Sequence, residues 1–186
     1  MTEVQAVTIF IGGVFASRDG AVVTTLLGSC VAACVWDAQA RVGGMNHFML
    51  PSCANSAAEE TPARFGVHAM ELVIGEIQKL GGQRHRFQAK VFGGGHVLTI
   101  EGVGPSVPEQ NIRFIREFMS AEGIPLVAQD LGGREARQVR FHTDTGKALI
   151  RRLRGATEPT AAEEREHERE ARGLLQRSGG ITLFDD

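Results

Sequence analysis

Apolar and polar positions fall in short blocks along this chain, and the blocks have two different periods. Val7–Ile11 is a short β-rich run closed by Gly12-Gly13, and Ala21–Leu27 is a second, preceded by the turn Ser17-Arg18-Asp19-Gly20. Val31–Trp36 and Val42–Leu50 follow, joined by the polar connection Asp37-Ala38-Gln39-Ala40-Arg41. Runs this continuous predict a β-hairpin buried on both faces, because a strand with one face in water alternates. Pro51–Glu60 is small and polar and reads as a surface loop. Helical spacing then takes over. Thr61-Pro62 supplies an N-cap and a proline at the first helical position. Met70, Val73, Ile74, Ile77 and Leu80 recur at threes and fours, one face of a helix that Gly81-Gly82 stops. Phe87–Phe92 is the next strand, running into Gly93-Gly94-Gly95. Pro108–Glu122 predicts a second helix with the buried stripe Ile112, Ile115, Phe118 and Met119, ended by Gly123. Ile124–Leu131 predicts a strand turning at Gly132-Gly133, and Val139–His142 with Ala148–Leu153 a final hairpin around Thr143–Lys147.

The pattern changes at Gly155. Thr160-Ala161-Ala162-Glu163 fits a capping box, and Glu163–Arg172 is dense in charges of both signs. Pairs such as Glu168–Arg172 support a solvated helix by ~0.3 kcal/mol each. No core-facing stripe occurs before Leu174-Leu175, so the chain divides into a domain at 1–154 and a charged tail at 155–186, helical or disordered and exposed. Ile181-Thr182-Leu183-Phe184 is a candidate docking peptide within that tail. Strands interspersed with two patterned helices give an α+β layered domain, without internal repeats. The 186 residues, 42% of them hydrophobic, suffice for one domain with its own core. A formal net charge of −2 argues against nucleic acid as the main partner. The chain shows no secretory leader pattern and no apolar run of membrane-spanning length, which predicts a cytoplasmic protein. Three cysteines, an odd number, then read as reduced thiols.

The hairpin brings chemistry together. With its turn centred near Gln39, Cys30 lies opposite Phe48 or His47, and opposed Cβ atoms are ~5 Å apart. A cysteine in an apolar strand is ordinarily a small buried hydrophobe. Cys30 differs because it stands at the strand entrance directly after the Gly28-Ser29 turn, with an imidazole across from it. That is the arrangement of a thiol nucleophile with a general base. His47 would take the thiol proton and return one to the leaving group, and as imidazolium would lower a thiol pKa of ~8.5. A hydrogen-bonded core histidine between Met45 and Phe48 is the other reading of His47. Backbone N–H groups around Gly28, Ser29 and Cys30 are the expected oxyanion donors. Phe92-Gly93-Gly94-Gly95-His96 lacks a following Lys-Ser/Thr and is a poor phosphate loop. Gly93 and Gly94 are either a tight turn or a place where a substrate backbone approaches. Cys34 and Cys53 read as structural. His68, His85, His96, His142 and His167 have no assignable partner and read as solvent-facing or locally hydrogen-bonded. A zinc set of Cys30, Cys34, His47 and Cys53 fails on a strand, where Cys30 and Cys34 lie ~13 Å apart. No metal and no cofactor are expected.

The segment LGSCVAACVWD followed by GGMNHFMLP resembles the signature of the CheD family, the chemoreceptor glutamine deamidases of bacterial chemotaxis. The order and spacing of Cys30 and His47 and the flanking glycines match. The likeness continues through Arg64-Phe65-Gly66, Lys90-Val91-Phe92-Gly93-Gly94 and Asp130-Leu131-Gly132-Gly133, so it covers roughly residues 5–153. It implies a single-domain three-layer α/β/β sandwich, a nucleophile at Cys30, its histidine at His47 and, six residues before the cysteine, an orienting threonine at Thr24. Thr25 points the other way on a strand, so alternation admits only one of the two. A hydroxyl orients an imidazole less firmly than a carboxylate, so slow turnover is expected. The implied activity is conversion of glutamines to glutamates, through a thioester and with release of ammonia, on the long helical cytoplasmic domains of methyl-accepting chemotaxis receptors. Hydrolysis of receptor methyl esters by the same chemistry and binding of a CheC-type phosphatase that occupies the site are further implications. The alternative is a non-catalytic adaptor that binds receptors or the phosphatase and keeps the motif as scaffold.

Overall fold

The computed structural model describes residues 4–51, 60–97, 106–154, 162, 164–167 and 169. The chain runs β1 (Ala6–Thr8), β2 (Val14–Ser17), β3 (Val22–Leu27), β4 (Val31–Asp37), β5 (Val42–Phe48), α1 (Glu60–Lys79), a 3-10 turn (Arg84–Arg86), β6 (Gln88–Gly93), α2 (Val107–Ala121), β7 (Leu126–Leu131), β8 (Ala136–His142) and β9 (Ala148–Leu153). The strands form a five-stranded sheet, β2-β5-β4-β6-β7, and a four-stranded sheet, β1-β3-β8-β9. Both helices pack on the outer face of the five-stranded sheet, giving the expected α/β/β layering. No helix among the described residues is long and apolar enough to cross a membrane.

The layering explains the unbroken apolar runs of the central hairpin. Every residue of β4 and β5 is buried. Val31, Ala33 and Val35 face the helices and pack in one cluster with Val73, Ile74, Ile77 and Ile115. Cys30, Ala32, Cys34 and Trp36 face the second sheet and share a cluster with Val23, Leu27, Val139 and Phe141. A central strand between two apolar layers has no polar face to show. The α1 stripe is buried as its spacing predicts, at Met70, Val73, Ile74 and Ile77. In α2 the stripe is buried at Ile115, Phe118 and Met119, while Ile112 is half-buried. The edge strand β2 went unrecognised in the sequence, because four residues (VFAS) are too few to display a period.

The far end of the hairpin is held by Asp37. Its carboxylate is fully buried. It accepts from Gln39 and Ala40 N–H at 3.0 Å each, from Gln83 N–H at 3.0 Å and from Arg86 Nε at 2.8 Å. Burial pushes this carboxyl up, but the Arg86 guanidinium and the backbone donors outweigh it and hold the pKa at about 2. A depressed carboxylate contributes stability that is fully present above its unfolded value, ~3.9, and is lost as pH falls through the folded value. Asp37→Asn therefore costs on the order of 2 kcal/mol at pH 7, and urea titrations will show the gap to wild type closing between about pH 4 and 2. A gap that stays constant across that window would remove the charge from this account.

Candidate active site

Cys30 immediately precedes β4, and His47 lies in β5. The register pairs Val31 with Phe48 and Ala32 with His47. Cys30 is thus opposite neither Phe48 nor His47, a correction to the expected pairing. The reason is loop length. Asp37 pairs with Val42, leaving a turn of residues 38–41 in which Arg41 adopts a φ of 53°. An even-numbered loop shifts the register from one centred on Gln39. The thiol and imidazole meet diagonally instead, on the face shared by Cys30 and Ala32, with His47 Nε2 2.8 Å from Cys30 Sγ. Diagonal neighbours on one face of a hairpin are within reach of long side chains. Both residues are buried, Cys30 completely.

The group that orients the ring is Thr25, not Thr24. Thr25 Oγ1 lies 2.8 Å from His47 Nδ1, and the same hydroxyl donates to the Ile9 carbonyl at 2.8 Å. Val23, Thr25 and Leu27 project into the layer between the sheets and are buried, whereas Thr24 is on the other face of β3 and half-buried. A hydroxyl has one proton to give. Spent on Ile9, it leaves Thr25 Oγ1 as acceptor for His47 Nδ1–H. The lone pair of His47 then sits on Nε2, directed at the thiol, which is the tautomer a general base needs.

The electrostatics are those of a closed site. Burial, with a smaller contribution from the charge of His167, lowers the His47 pKa to about 3. Burial raises the Cys30 thiol well above its ordinary value, and the nearby Glu164 carboxylate raises it further. N–H groups of Gly28 and Cys30 pull the other way and are outweighed. The pair is therefore a neutral thiol facing a neutral imidazole. The expected lowering of the thiol by an imidazolium does not hold in this arrangement, because burial penalises both ions.

Gly93 and Gly94 lie against the Cys30 loop. Gly94 N–H donates to the Cys30 carbonyl and Gly95 N–H to the Gly28 carbonyl, both at 2.8 Å. Gly93 has a φ of 116°, and a Cβ there would stand 2.1 Å from Cys30 O. These glycines clamp the Cys30 loop by its carbonyls, so the Gly94 N–H is not available to an oxyanion. Asn111 of α2 completes the clamp. Its Nδ2 donates to Ser29 O at 3.0 Å and its Oδ1 accepts from Leu50 N–H at 2.8 Å. Asn111 is fully buried, and its place four residues before Ile115 on the apolar stripe was the one trace of it in the sequence.

The N–H groups of Ser29 and Cys30 do point into the site, where they meet the tail. Ser29 N–H donates to Glu164 Oε1 at 2.7 Å and Ser29 Oγ to Glu164 Oε2 at 2.7 Å. Glu164 Oε1 is 3.5 Å from Cys30 N and 3.3 Å from Cys30 Sγ. Residues 162, 164–167 and 169 are helical, but Glu164 is only 2% exposed. A solvated tail is thus corrected at this residue, which a charge-dense stretch gave no means of singling out. Cys34 is buried in the inter-sheet cluster, where burial raises its thiol pKa. Cys53 and Ile181–Phe184 lie outside the described residues. A buried thiol, a base with a set tautomer and adjacent backbone donors can together perform acyl transfer through a covalent thioester.

Comparison with known proteins gives the family of the chain. The profile of the CheD family, described as CheD chemotactic sensory transduction, matches residues 49–152. A probable chemoreceptor glutamine deamidase CheD 2 of Chromobacterium violaceum is 47% identical over 156 residues, covering 82% of this chain and 76% of the relative. A probable chemoreceptor glutamine deamidase CheD of Stenotrophomonas maltophilia is 42% identical over 167 residues, 90% of this chain and 83% of the relative. A probable chemoreceptor glutamine deamidase CheD of Laribacter hongkongensis is 37% identical over 185 residues, 98% of this chain and 89% of the relative. A matching profile over more than half the chain, and relatives of this identity over most of its length, mean that the chain belongs to the CheD family.

Proposed function

We propose that this protein is a cytoplasmic protein-glutamine deamidase that converts glutamines of chemotaxis receptors to glutamate. The observation that carries the reading is the relay from Cys30 Sγ to His47 Nε2, 2.8 Å, and from His47 Nδ1 to Thr25 Oγ1, 2.8 Å. With a glutamine side chain in place, His47 takes the Cys30 proton as sulfur attacks the carboxamide carbon. The oxyanion forms beside Ser29 and Cys30 N–H. His47 returns the proton to nitrogen and ammonia leaves. Water, deprotonated by His47, then opens the thioester, giving glutamate and the free thiol. The same steps hydrolyse a methyl ester, with methanol as leaving group. The names of the relatives support chemoreceptors as the substrate. A CheC-type phosphatase is a further partner in this reading, seated over the same site.

Incubation with a receptor cytoplasmic domain followed by peptide mass mapping tests the proposal. Discrete glutamines gaining the mass of an amide-to-acid exchange are expected. No conversion by any variant with an open site would leave the adaptor reading. The relay also separates two adjacent threonines. Thr25→Ala frees the imidazole to rotate and lowers turnover by ~10-fold or more, by the scale of the net hydrogen bond it removes. Thr24→Ala, on the opposite face of β3, leaves turnover near wild type. Equal losses from both substitutions would mean that β3 acts only as scaffold.

A further inference from the structure

The polar groups suited to hold a substrate carboxamide are already occupied by the protein's own tail. We propose that Glu164 is an internal product mimic: its helix holds the carboxylate in the subsite that receives the substrate's glutamine side chain, so the tail autoinhibits the site until a receptor helix displaces it. This rests on the deamidase reading of the site.

The contacts correspond group by group. Glu164 Oε1 accepts from Ser29 N–H at 2.7 Å and lies 3.5 Å from Cys30 N, where the carbonyl oxygen of a glutamine belongs. It also lies 3.3 Å from Cys30 Sγ, so the carboxyl group is brought against the nucleophile. Glu164 Oε2, at 2.7 Å from Ser29 Oγ, stands where the departing amide nitrogen belongs. A glutamine there would donate to the same hydroxyl. Gly28 shapes the subsite: a Cβ on it would stand 2.5 Å from Glu164 Oε1 and 2.8 Å from a Val97 methyl. Any side chain at 28 would expel the carboxylate.

The tail also demonstrates how the substrate can be presented. Residues 164–167 are helical, so a side chain delivered from an α-helix reaches the thiol. His167, one turn on, approaches Gly12, with its Cε1 3.8 Å from the position of a Cβ there. The loop carrying Gly12 and Gly13 is joined to the backbone of His47 by two hydrogen bonds, at 2.8 and 3.0 Å. The docked helix therefore covers the base as well as the nucleophile. A tethered occupant competes at an effective concentration of ~mM, so a receptor segment must bind well or arrive clustered to win.

The test compares the full-length wild type with Glu164→Ala and Glu164→Gln. Iodoacetamide at neutral pH, with peptide mapping, reads Cys30 against Cys34 as internal reference. Glu164→Ala should label Cys30 ~10-fold faster or more, since charge-assisted hydrogen bonds hold the closed state. Cys34 labelling should not change, and conversion of a receptor fragment should rise, chiefly through a lower KM. Glu164→Gln keeps the shape of the side chain and places a carboxamide on the thiol. It should convert itself back to glutamate, taking up water and releasing ammonia, at a rate independent of protein concentration. The same substitution combined with Cys30→Ala should remain an amide. Unchanged Cys30 labelling in Glu164→Ala, or a surviving amide at position 164 in a chain that converts receptor glutamines, overturns the inference alone. Faster labelling with no glutamine converted anywhere instead sinks the deamidase reading and leaves the occluding contact standing.

Discussion

Cys30→Ala will eliminate glutamine conversion, with a fall of ~10⁴–10⁶-fold, the scale seen when a covalent nucleophile is removed. The comparison is best made in the Glu164→Ala background, where the site is open in both proteins. Cys30 is the thiol at 2.8 Å from an imidazole whose tautomer is set to receive its proton. No other described thiol has such a partner, since Cys34 is packed among Trp36, Met45 and Phe92 in the inter-sheet cluster. Removing the sulfur from a buried position costs ~1 kcal/mol, so the domain should still unfold cooperatively. Cys34→Ala and Cys53→Ala should keep their activity. Conversion by Cys30→Ala at an unimpaired rate would send the search to a different nucleophile.

His47→Ala loses two functions at once, the base that generates the thiolate and the acid that protonates ammonia. Expulsion of an amine from a tetrahedral intermediate needs that proton, so turnover falls by ~10²–10⁴-fold. Alkylation needs only thiolate and falls less. In the open-site background its rate should fall across the pH profile in His47→Ala, because no imidazole is left to take the proton of a thiol that burial keeps protonated. A second signature is thermodynamic. His47 stays neutral down to about pH 3 in the closed fold because it is buried, whereas the unfolded chain protonates it near ~6.5. Between those values the unfolded state binds more protons, so stability falls as pH is lowered through that window. His47→Ala removes that slope, which urea midpoints from pH 7 to 4 will report. An unaltered alkylation profile together with unaltered turnover would end the case for the Cys30–His47 pair.

The pairing of these residues was legible before the fold, but not its details. The run Val22-Val23-Thr24-Thr25-Leu26-Leu27 doubles every residue type, so its two faces are identical in composition. Alternation can say that one threonine points inward but not which. The choice is made by β8 and β1, which pair with β3 and fix its orientation over the five-stranded sheet. The hairpin register likewise turned on whether the loop holds an odd or even number of residues, a matter of one left-handed residue at Arg41. Asn111 was passed over because a single amide on an amphipathic stripe reads as noise until its partners, Ser29 and Leu50, are seen.

By itself the sequence determined the positions of most strands and of both long helices, the doubly buried hairpin, and the meeting of Cys30 with His47. Those properties follow from the period of consecutive residues and from a short, local connection, and neither needs a distant partner to be defined. Only the tertiary structure decided that Thr25 holds the imidazole, that the glycine loop grips the Cys30 loop by its carbonyls, and that Glu164 lies against Cys30. Each of these depends on segments far apart in the chain, Ser29 and Glu164 being separated by 135 positions. In such contacts specificity resides in geometry across layers, and a charged residue that will be buried has the same local pattern as one left in water.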